Sequence, residues 1–348
     1  MDTMRAIQLV EIGKPLEAHE VPIPKPGSHE ILVRVQAAGI CRSDVHYRSG
    51  LGSVGPLPHT PGHEVSGIVE AMGSEVEGLQ LGQRVALHYL VTCGDCSMCR
   101  TGREQFCPKG RMIGKDIAGG YAELIAVPAR NAVSVPEEIS FEHAAVMMCS
   151  TATVFHALKK GRLAPGESVA VMGVGGLGLS AVQLAKAFGA TSVYAIDIDE
   201  HKLAIAAGYG AIPIHATNVD PVEEIVRRTR GGVDLSLELI GLAETMRQSV
   251  EMLGVQGRAV LVGLAADPLV VNTYGSVLGK EAEIIGCSDH LLSELPIVME
   301  LARQGKLDLT SVVTSRIPLE ADAVNRALDE LESFSGIVRT VINPKETV

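Results

Sequence analysis

Apolar and polar positions alternate along ILVRVQAAGI, where Ile31, Val33 and Val35 share one face, and the run beginning VSGIVEAMG follows the same rule; both stretches predict strands. The first 150 residues continue in this manner, with short strand-like runs broken by Gly and Pro and few helix signals. The period then changes. ESVAVM reads as a short apolar strand, and Leu177, Ala181, Leu184 and Phe188 recur after it at the spacing of an amphipathic helix. EHKLAIAAGYG reads as helical, and DPVEEIVRRTRGG as a helix with Asp220 as N-cap, Pro221 at its first position and Glu223 completing a capping box. Strands at VDLSLELIG, RAVLVGL and AEIIGC, with the helical AETMRQSVEML among them, extend an alternation that predicts a parallel doubly wound sheet over residues 151–287. Beyond Cys287, a helix from about Ser293 to Gln304 and the strand IVRTVI predict that residues 288–348 return to the domain formed by residues 1–150. The fold class is therefore α/β, with a β-rich domain built from both chain ends and a second domain between them.

Length and charge narrow the function. At 348 residues the chain exceeds the size of a single hydrophobic core, and 46% apolar with 20% charged residues describes a folded protein. A formal charge of -11 leaves no basic footprint for nucleic acid or anionic membranes. The opening MDTMRAIQLV lacks the apolar core of a signal peptide, and no apolar run reaches the ~18 residues that a spanning helix needs. A cytoplasmic protein is expected, and there clustered thiols are more often metal ligands or catalytic groups than disulfides.

Seven cysteines carry that expectation, and four of them fall in CGDCSMCRTGREQFC. Cys93, Cys96, Cys99 and Cys107 are spaced so that one loop can fold its sulfurs into a tetrahedron around a closed, structural zinc; a disulfide pair or an iron–sulfur cluster would draw on the same thiols. Cys41, in GICRSDVHYRSG, and His63 with Glu64, in TPGHEVSG, each flank a strand-like segment and are ligand types that suit zinc. A third constellation is Gly173, Gly175, Gly176 and Gly178 between strand and helix. Such a turn brings backbone close to a pyrophosphate and aims a helix N-terminus at its charge. SVYAID ends at Asp197, placed to accept hydrogen bonds from adenosine ribose hydroxyls and to repel a 2′-phosphate, which favours NAD over NADP.

Together the C-x-S-D-x-H run, the G-H-E triplet, the four-cysteine lobe, MMCSTATVFHAL and the dinucleotide fingerprint resemble the zinc-containing medium-chain alcohol dehydrogenase family, in its bacterial and archaeal NAD-dependent branch, across essentially the whole chain. The resemblance implies a GroES-like catalytic domain (1–150 and 288–348, with the zinc lobe at 93–107) and a Rossmann domain (151–287). It implies two zinc ions per subunit: a catalytic one on Cys41, His63 and Cys149 with Glu64 close by, and a structural one on Cys93, Cys96, Cys99 and Cys107. Asp44 would orient the ligand histidine, and Ser43 and His46 would carry the alcohol proton to solvent. Arg42, Thr153 and Lys202 would join the four glycines and Asp197 in holding NAD, while Tyr89, Leu57 and His59 would line the alcohol pocket. The implied reaction is reversible hydride transfer from primary or secondary alcohols to NAD, giving aldehydes or ketones, by a homo-oligomer that is a tetramer in preference to a dimer. A polyol dehydrogenase of the same superfamily, which usually has glutamate in place of Cys149, is one alternative, and a zinc-free reductase or binding protein on the same fold is another.

Overall fold

The computed structural model describes residues 2–333 and 338–344; Ile337, where the expected IVRTVI strand begins, lies outside them. The chain forms two compact units. One is built on the residues up to Cys149 together with Leu291–Arg303 and those from Val313 onward, and the other on Ser150–His290 with Gln304–Val312. Among the described residues no helix is long and apolar enough to cross a membrane.

In the first unit, strand Glu30–Gly39 organises a seven-stranded sheet. It pairs antiparallel with Glu64–Met72 along one edge, and along the other with Leu124–Pro128 near its start and Arg339–Asn343 near its end. Arg84–Leu87 and Ala132–Ser134 extend the sheet on one side, and Val313–Pro318 lies parallel to Arg339–Asn343 on the other. Ile31, Val33 and Val35 are buried in the main apolar cluster, as their alternation requires. The opposite face is covered too: Leu32 packs with Met4, Ala6, Ala122 and Leu124. The strand is thus sandwiched rather than half exposed, with register shifts between Leu32 and Val33 and between Val35 and Ala37.

The second unit is a six-stranded parallel sheet. Across the sheet its strands run Ile212–His215, Ser192–Asp197, Ser168–Met172, Val233–Glu238, Leu253–Leu261 and Glu283–Gly286. The order reverses beside Ser168–Met172, the first of these six strands along the chain, which is the doubly wound arrangement that places ligands at the carboxyl ends of the strands. Helix Gly176–Ala187 follows that strand, as its spacing predicts, and is buried continuously from Gly178 to Ala185, so both of its faces are largely covered. A second helix, Ala152–Lys160, packs against it, with Phe155 and Phe188 meeting edge to face at 5.5 Å and Thr151 hydrogen-bonded to Ser180 at 3.1 Å. Two other details depart from the sequence reading. Asp220 caps Pro221–Thr229 alone, taking the N–H groups of Val222 and Glu223 at 2.8 and 3.0 Å, while exposed Glu223 stays out of the cap. Gln304–Val312 belongs with this unit because the Gln183 amide both donates to and accepts from the Asp308 backbone, at 2.9 and 2.7 Å, and Tyr209 donates to the same carbonyl.

The turn from Met172 into the helix needs two of its glycines on steric grounds. Gly173 has φ +90, and a Cβ on Gly178 would sit 2.0 Å from the Gly173 carbonyl oxygen. Because that neighbour is backbone and cannot rotate away, Gly178→Ala is expected to cost about 1–3 kcal/mol, read as a lower thermal midpoint. An unchanged midpoint would show that strand and helix do not approach this closely.

Candidate metal centre and cofactor turn

The side chains of Cys41, His63, Glu64 and Cys149 converge in the first unit, with one ligand atom from each lying within 4.8 Å of the others. Cys41 caps helix Arg42–Ser49 directly after the central strand, and His63 precedes Glu64, the first residue of the neighbouring strand. The antiparallel register sets Gly39 opposite Glu64, and this closeness excludes a side chain at Gly39: a Cβ there would fall 2.1 Å from Glu64 Oε2. Cys149 arrives from a different direction, on the π-helical turn Met147–Thr151. Such turns recur at functional sites because the extra residue swings a side chain out of helical register.

The electrostatics of this cluster are those of buried charge. Burial pushes Glu64 up to about 7 against the opposing pull of Arg339, which itself is buried and pairs directly with Glu64 Oε1. Arg339 also donates to the Ile40 carbonyl at 3.1 Å, so a C-terminal strand delivers a cation beneath the site. Hydrogen bonding with Cys149 holds the Cys41 thiol well below its ordinary range despite burial, with Arg339 and His63 acting in the same direction. Burial opposes charge on His63, yet Asp44 and Cys41 raise it well above the usual histidine value. His63 Nδ1 lies 3.4 Å from Asp44 Oδ1, which leaves Nε2 as the ligand atom. Glu64 Oε2 is buried without a hydrogen-bond partner, while His63 Nδ1 and Asp44 Oδ1 face only each other. Two sulfurs, an imidazole and a carboxylate with one unpartnered oxygen form a donor set that suits zinc.

The second thiol cluster is local. Cys96 caps the short helix Ser97–Arg100, Cys99 lies on it, and Cys107 ends a 3₁₀ turn at Glu104–Phe106. Sulfur separations of 3.5 Å for Cys96–Cys99 and Cys93–Cys107, and 3.9 Å for Cys93–Cys99 and Cys96–Cys107, match the ~3.8 Å edge of a tetrahedron with Zn–S bonds of about 2.3 Å. None of the seven cysteines is in a disulfide, so the disulfide alternative finds no support. The Cys99 N–H, donating to Cys96, pulls that thiol down to about 7, which favours the thiolate a metal requires. Arg130, bonded to the Thr92 carbonyl, and Glu104, bonded to the Leu292 N–H, tie the lobe to the rest of the unit.

Other residues named from the sequence are dispersed. Ser43 Oγ is 3.8 Å from Cys41 Sγ, and His46 is half-buried on the same helix, held below 6.5 by burial and by Arg42. Arg42 donates to the Leu331 carbonyl at 2.9 Å. The Tyr89 ring meets His63 edge-on at 5.3 Å. Leu57 is exposed, at a cis bond to Pro58, and His59 is buried beside Gly55 and Asp116. In the second unit, Thr153 is buried, Gly175 caps the helix with open space where a Cβ would stand, and Gly176 begins it. Asp197 accepts from the N–H groups of Val174, Ile198 and Asp199 at 2.8, 2.7 and 3.0 Å, which fixes its carboxylate beside the glycine turn. Lys202 pairs with Asp199 at 3.8 Å. Sequence reasoning missed Arg339 and Tyr121, both buried against the metal cluster. A lone arginine inside an apolar strand was a signal for the first, but nothing local marked the second.

Residues 27–137 match the alcohol dehydrogenase GroES-like domain and residues 176–303 the zinc-binding dehydrogenase domain. An NAD-dependent alcohol dehydrogenase of Sulfurisphaera tokodaii is 37% identical, over 98% of this chain and all of its own. Among solved structures, a zinc-binding dehydrogenase of Sinorhizobium meliloti bound to NADP superposes with a TM-score of 0.91 at 30% identity, over 99% of this chain and 100% of that one. The alcohol dehydrogenase of Aeropyrum pernix superposes at 0.89 with 34% identity, over 98% and 100% of the two chains. Full-length similarity at these identities, on a GroES-like unit and a Rossmann sheet, places the chain in the zinc-containing medium-chain alcohol dehydrogenase family.

Proposed function

We propose that this protein is a zinc-dependent alcohol dehydrogenase that transfers hydride reversibly from primary or secondary alcohols to NAD, giving aldehydes or ketones. The observation that carries the reading is the convergence of Cys41, His63 and Cys149 with Glu64 in one cluster, all but Cys149 buried. It is supported by the full-length similarity to a relative named for NAD-dependent alcohol oxidation.

Cys41, His63 and Cys149 would hold the catalytic zinc, and Cys93, Cys96, Cys99 and Cys107 the structural one. Bound there, zinc supplies the Lewis acidity that lowers an alcohol's pKa, and NAD supplies the hydride acceptor. The protein's own groups do the rest. Asp44 keeps the His63 ring turned so that Nε2 faces the ligands, and Glu64, held in a buried ion pair with Arg339, stands beside them. Ser43, beside Cys41, takes the alcohol proton, and His46, kept neutral at physiological pH by burial and Arg42, passes it to solvent. Tyr89, packed on the ligand histidine, narrows the alcohol slot.

On the second unit the helix N-terminus at Gly175–Gly176 and the close backbone at Gly173 and Gly178 receive the pyrophosphate. Asp197, already fixed by three N–H groups, accepts from a free ribose hydroxyl and repels a 2′-phosphate. Arg42, Thr153 and Lys202 complete the cofactor contacts. Exposed apolar side chains at Tyr274, Leu278 and, on the edge strand Glu283–Gly286, Ile284 support assembly into a homo-oligomer, which we read as a tetramer. Reduced thiols throughout accord with a cytoplasmic location.

A screen of primary, secondary, aromatic and polyol substrates with NAD and NADP in parallel tests the reading. The expected result is oxidation of simple alcohols with NAD, lost on zinc removal. Turnover confined to polyols would move the chain to the polyol branch, and a zinc-free protein using NADPH would reject the proposal. In the lobe, Cys96→Ser leaves a four-ligand site with one weak donor, so one zinc per subunit and part of the thermal stability should be lost together. Full retention of both would remove the structural-zinc assignment. For the proton path, His46→Gln should slow oxidation most near neutral pH. The sign follows from a histidine already held below 6.5, which is a free base at pH 7 and loses that capacity only as pH falls further. The deficit should shrink in alkali and respond to added imidazole, and superimposable pH profiles for variant and parent would exclude His46 from the path.

A further inference from the structure

One fully buried hydroxyl meets the metal cluster from behind. Tyr121 O–H donates to Asp44 Oδ2 at 2.9 Å, and the same oxygen accepts the backbone N–H of Cys41 at 2.9 Å. The other oxygen, Oδ1, lies 3.4 Å from His63 Nδ1. A single carboxylate therefore joins the backbone of one proposed zinc ligand to the ring of another, and Tyr121 is the only side-chain O–H donor to it among the contacts of the described residues.

The tyrosine is itself held at both ends. Its backbone N–H donates to the Pro61 carbonyl at 3.0 Å, and its carbonyl accepts from Ile7 at 2.8 Å. The ring lies against Gly62, the residue before His63. Gly62 has φ +96, and a Cβ there would come within 2.3 Å of Tyr121 Cδ1. The segment carrying Tyr121 thus touches the chain on the approach to His63 with its ring and the chain just after Cys41 with its hydroxyl. A phenol beside a carboxylate is the donor of the pair. Without it, Asp44 Oδ2 keeps only the Cys41 N–H, and the carboxylate gains freedom to turn away from the imidazole.

We infer that Tyr121 is a positioning residue for the metal centre, its hydroxyl fixing Asp44 in the orientation that ties Cys41 and His63 into one ligand array. The inference rests on the reading of Cys41, His63 and Cys149 as zinc ligands. It is tested on the full-length holoenzyme with Tyr121→Phe, which keeps the ring and removes only the hydroxyl. Zinc release to a chelator such as dipicolinate is titrated, and alkylation of individual cysteines, mapped by mass spectrometry, identifies which ion has left.

The expected result is a severalfold loss of affinity for one zinc, below the roughly 10–100-fold of a direct hydrogen-bond partner of a ligand because Tyr121 acts through Asp44. Alkylation should appear at Cys41 and Cys149, with Cys93, Cys96, Cys99 and Cys107 still protected. In an Asp44→Asn background the same substitution should have a smaller effect, because both changes act through one carboxylate. A chelator midpoint equal to the parent's overturns the inference. So does fully additive behaviour with Asp44→Asn, or a joint loss of lobe zinc and thermal midpoint, which would make Tyr121 a packing residue only. A parent that yields only the lobe zinc would overturn the metal-centre reading itself, a result distinguishable because no variant is needed to see it.

Discussion

Two thiols, an imidazole and a carboxylate drawn within 4.8 Å of one another inside a protein are an electrostatic liability unless positive charge and hydrogen-bond donors share them. Much of the first unit's architecture answers that constraint. Strand Arg339–Asn343 pairs with the end of Glu30–Gly39 and so sets a buried guanidinium against Glu64. Helix Arg42–Ser49 starts at Cys41 and turns Asp44 back onto the Cys41 N–H, leaving its other oxygen for His63. Gly39 and Gly62 are small because Glu64 and Tyr121 occupy the volume a side chain would need. Remove any of these and a buried polar group loses its partner, which costs more than the bond itself contributes.

The thiol lobe solves a simpler problem of the same kind. Its four sulfurs come from one short segment with little apolar material, so a small helix, a 3₁₀ turn and a metal-sized tetrahedron do what a hydrophobic core does elsewhere. Arg130 and Glu104 then fasten a locally closed loop to the rest of its unit.

In the second unit the governing quantity is backbone proximity. The strand Ser168–Met172 and the helix after it approach so closely at Gly178 that only hydrogen fits, and Asp197 takes the Val174 N–H in the next strand's terminal turn. The same lack of side chains leaves open space beside Gly175 at the start of the helix, which is what the proposed approach of a pyrophosphate requires.

What the sequence determined by itself was whatever is encoded over a short span. The glycine turn, Asp197 after its strand, the C-x-x-C-x-x-C spacing and the switch from strand to strand–helix alternation are local patterns, and local sterics and ligand geometry fix their meaning. Cys41 and His63 were legible as candidates, and the family resemblance supplied Cys149, which no spacing links to them. Only the tertiary structure decided the rest. The π-turn at Met147–Thr151 turns Cys149 inward, sheet pairing brings Arg339 from the far end of the chain to Glu64, and Tyr121 reaches Asp44 by closing onto the segment before His63. It also decided that Leu57 is exposed, that the helix after the glycines is buried along most of its length, and that Gln304–Val312 packs with Gln183. The reason is common to all of these. Burial and hydrogen-bond partnership are set by pairing between segments distant in the chain, and a pattern of period two or 3.6 reports which face of an element is apolar, not what will cover the other one.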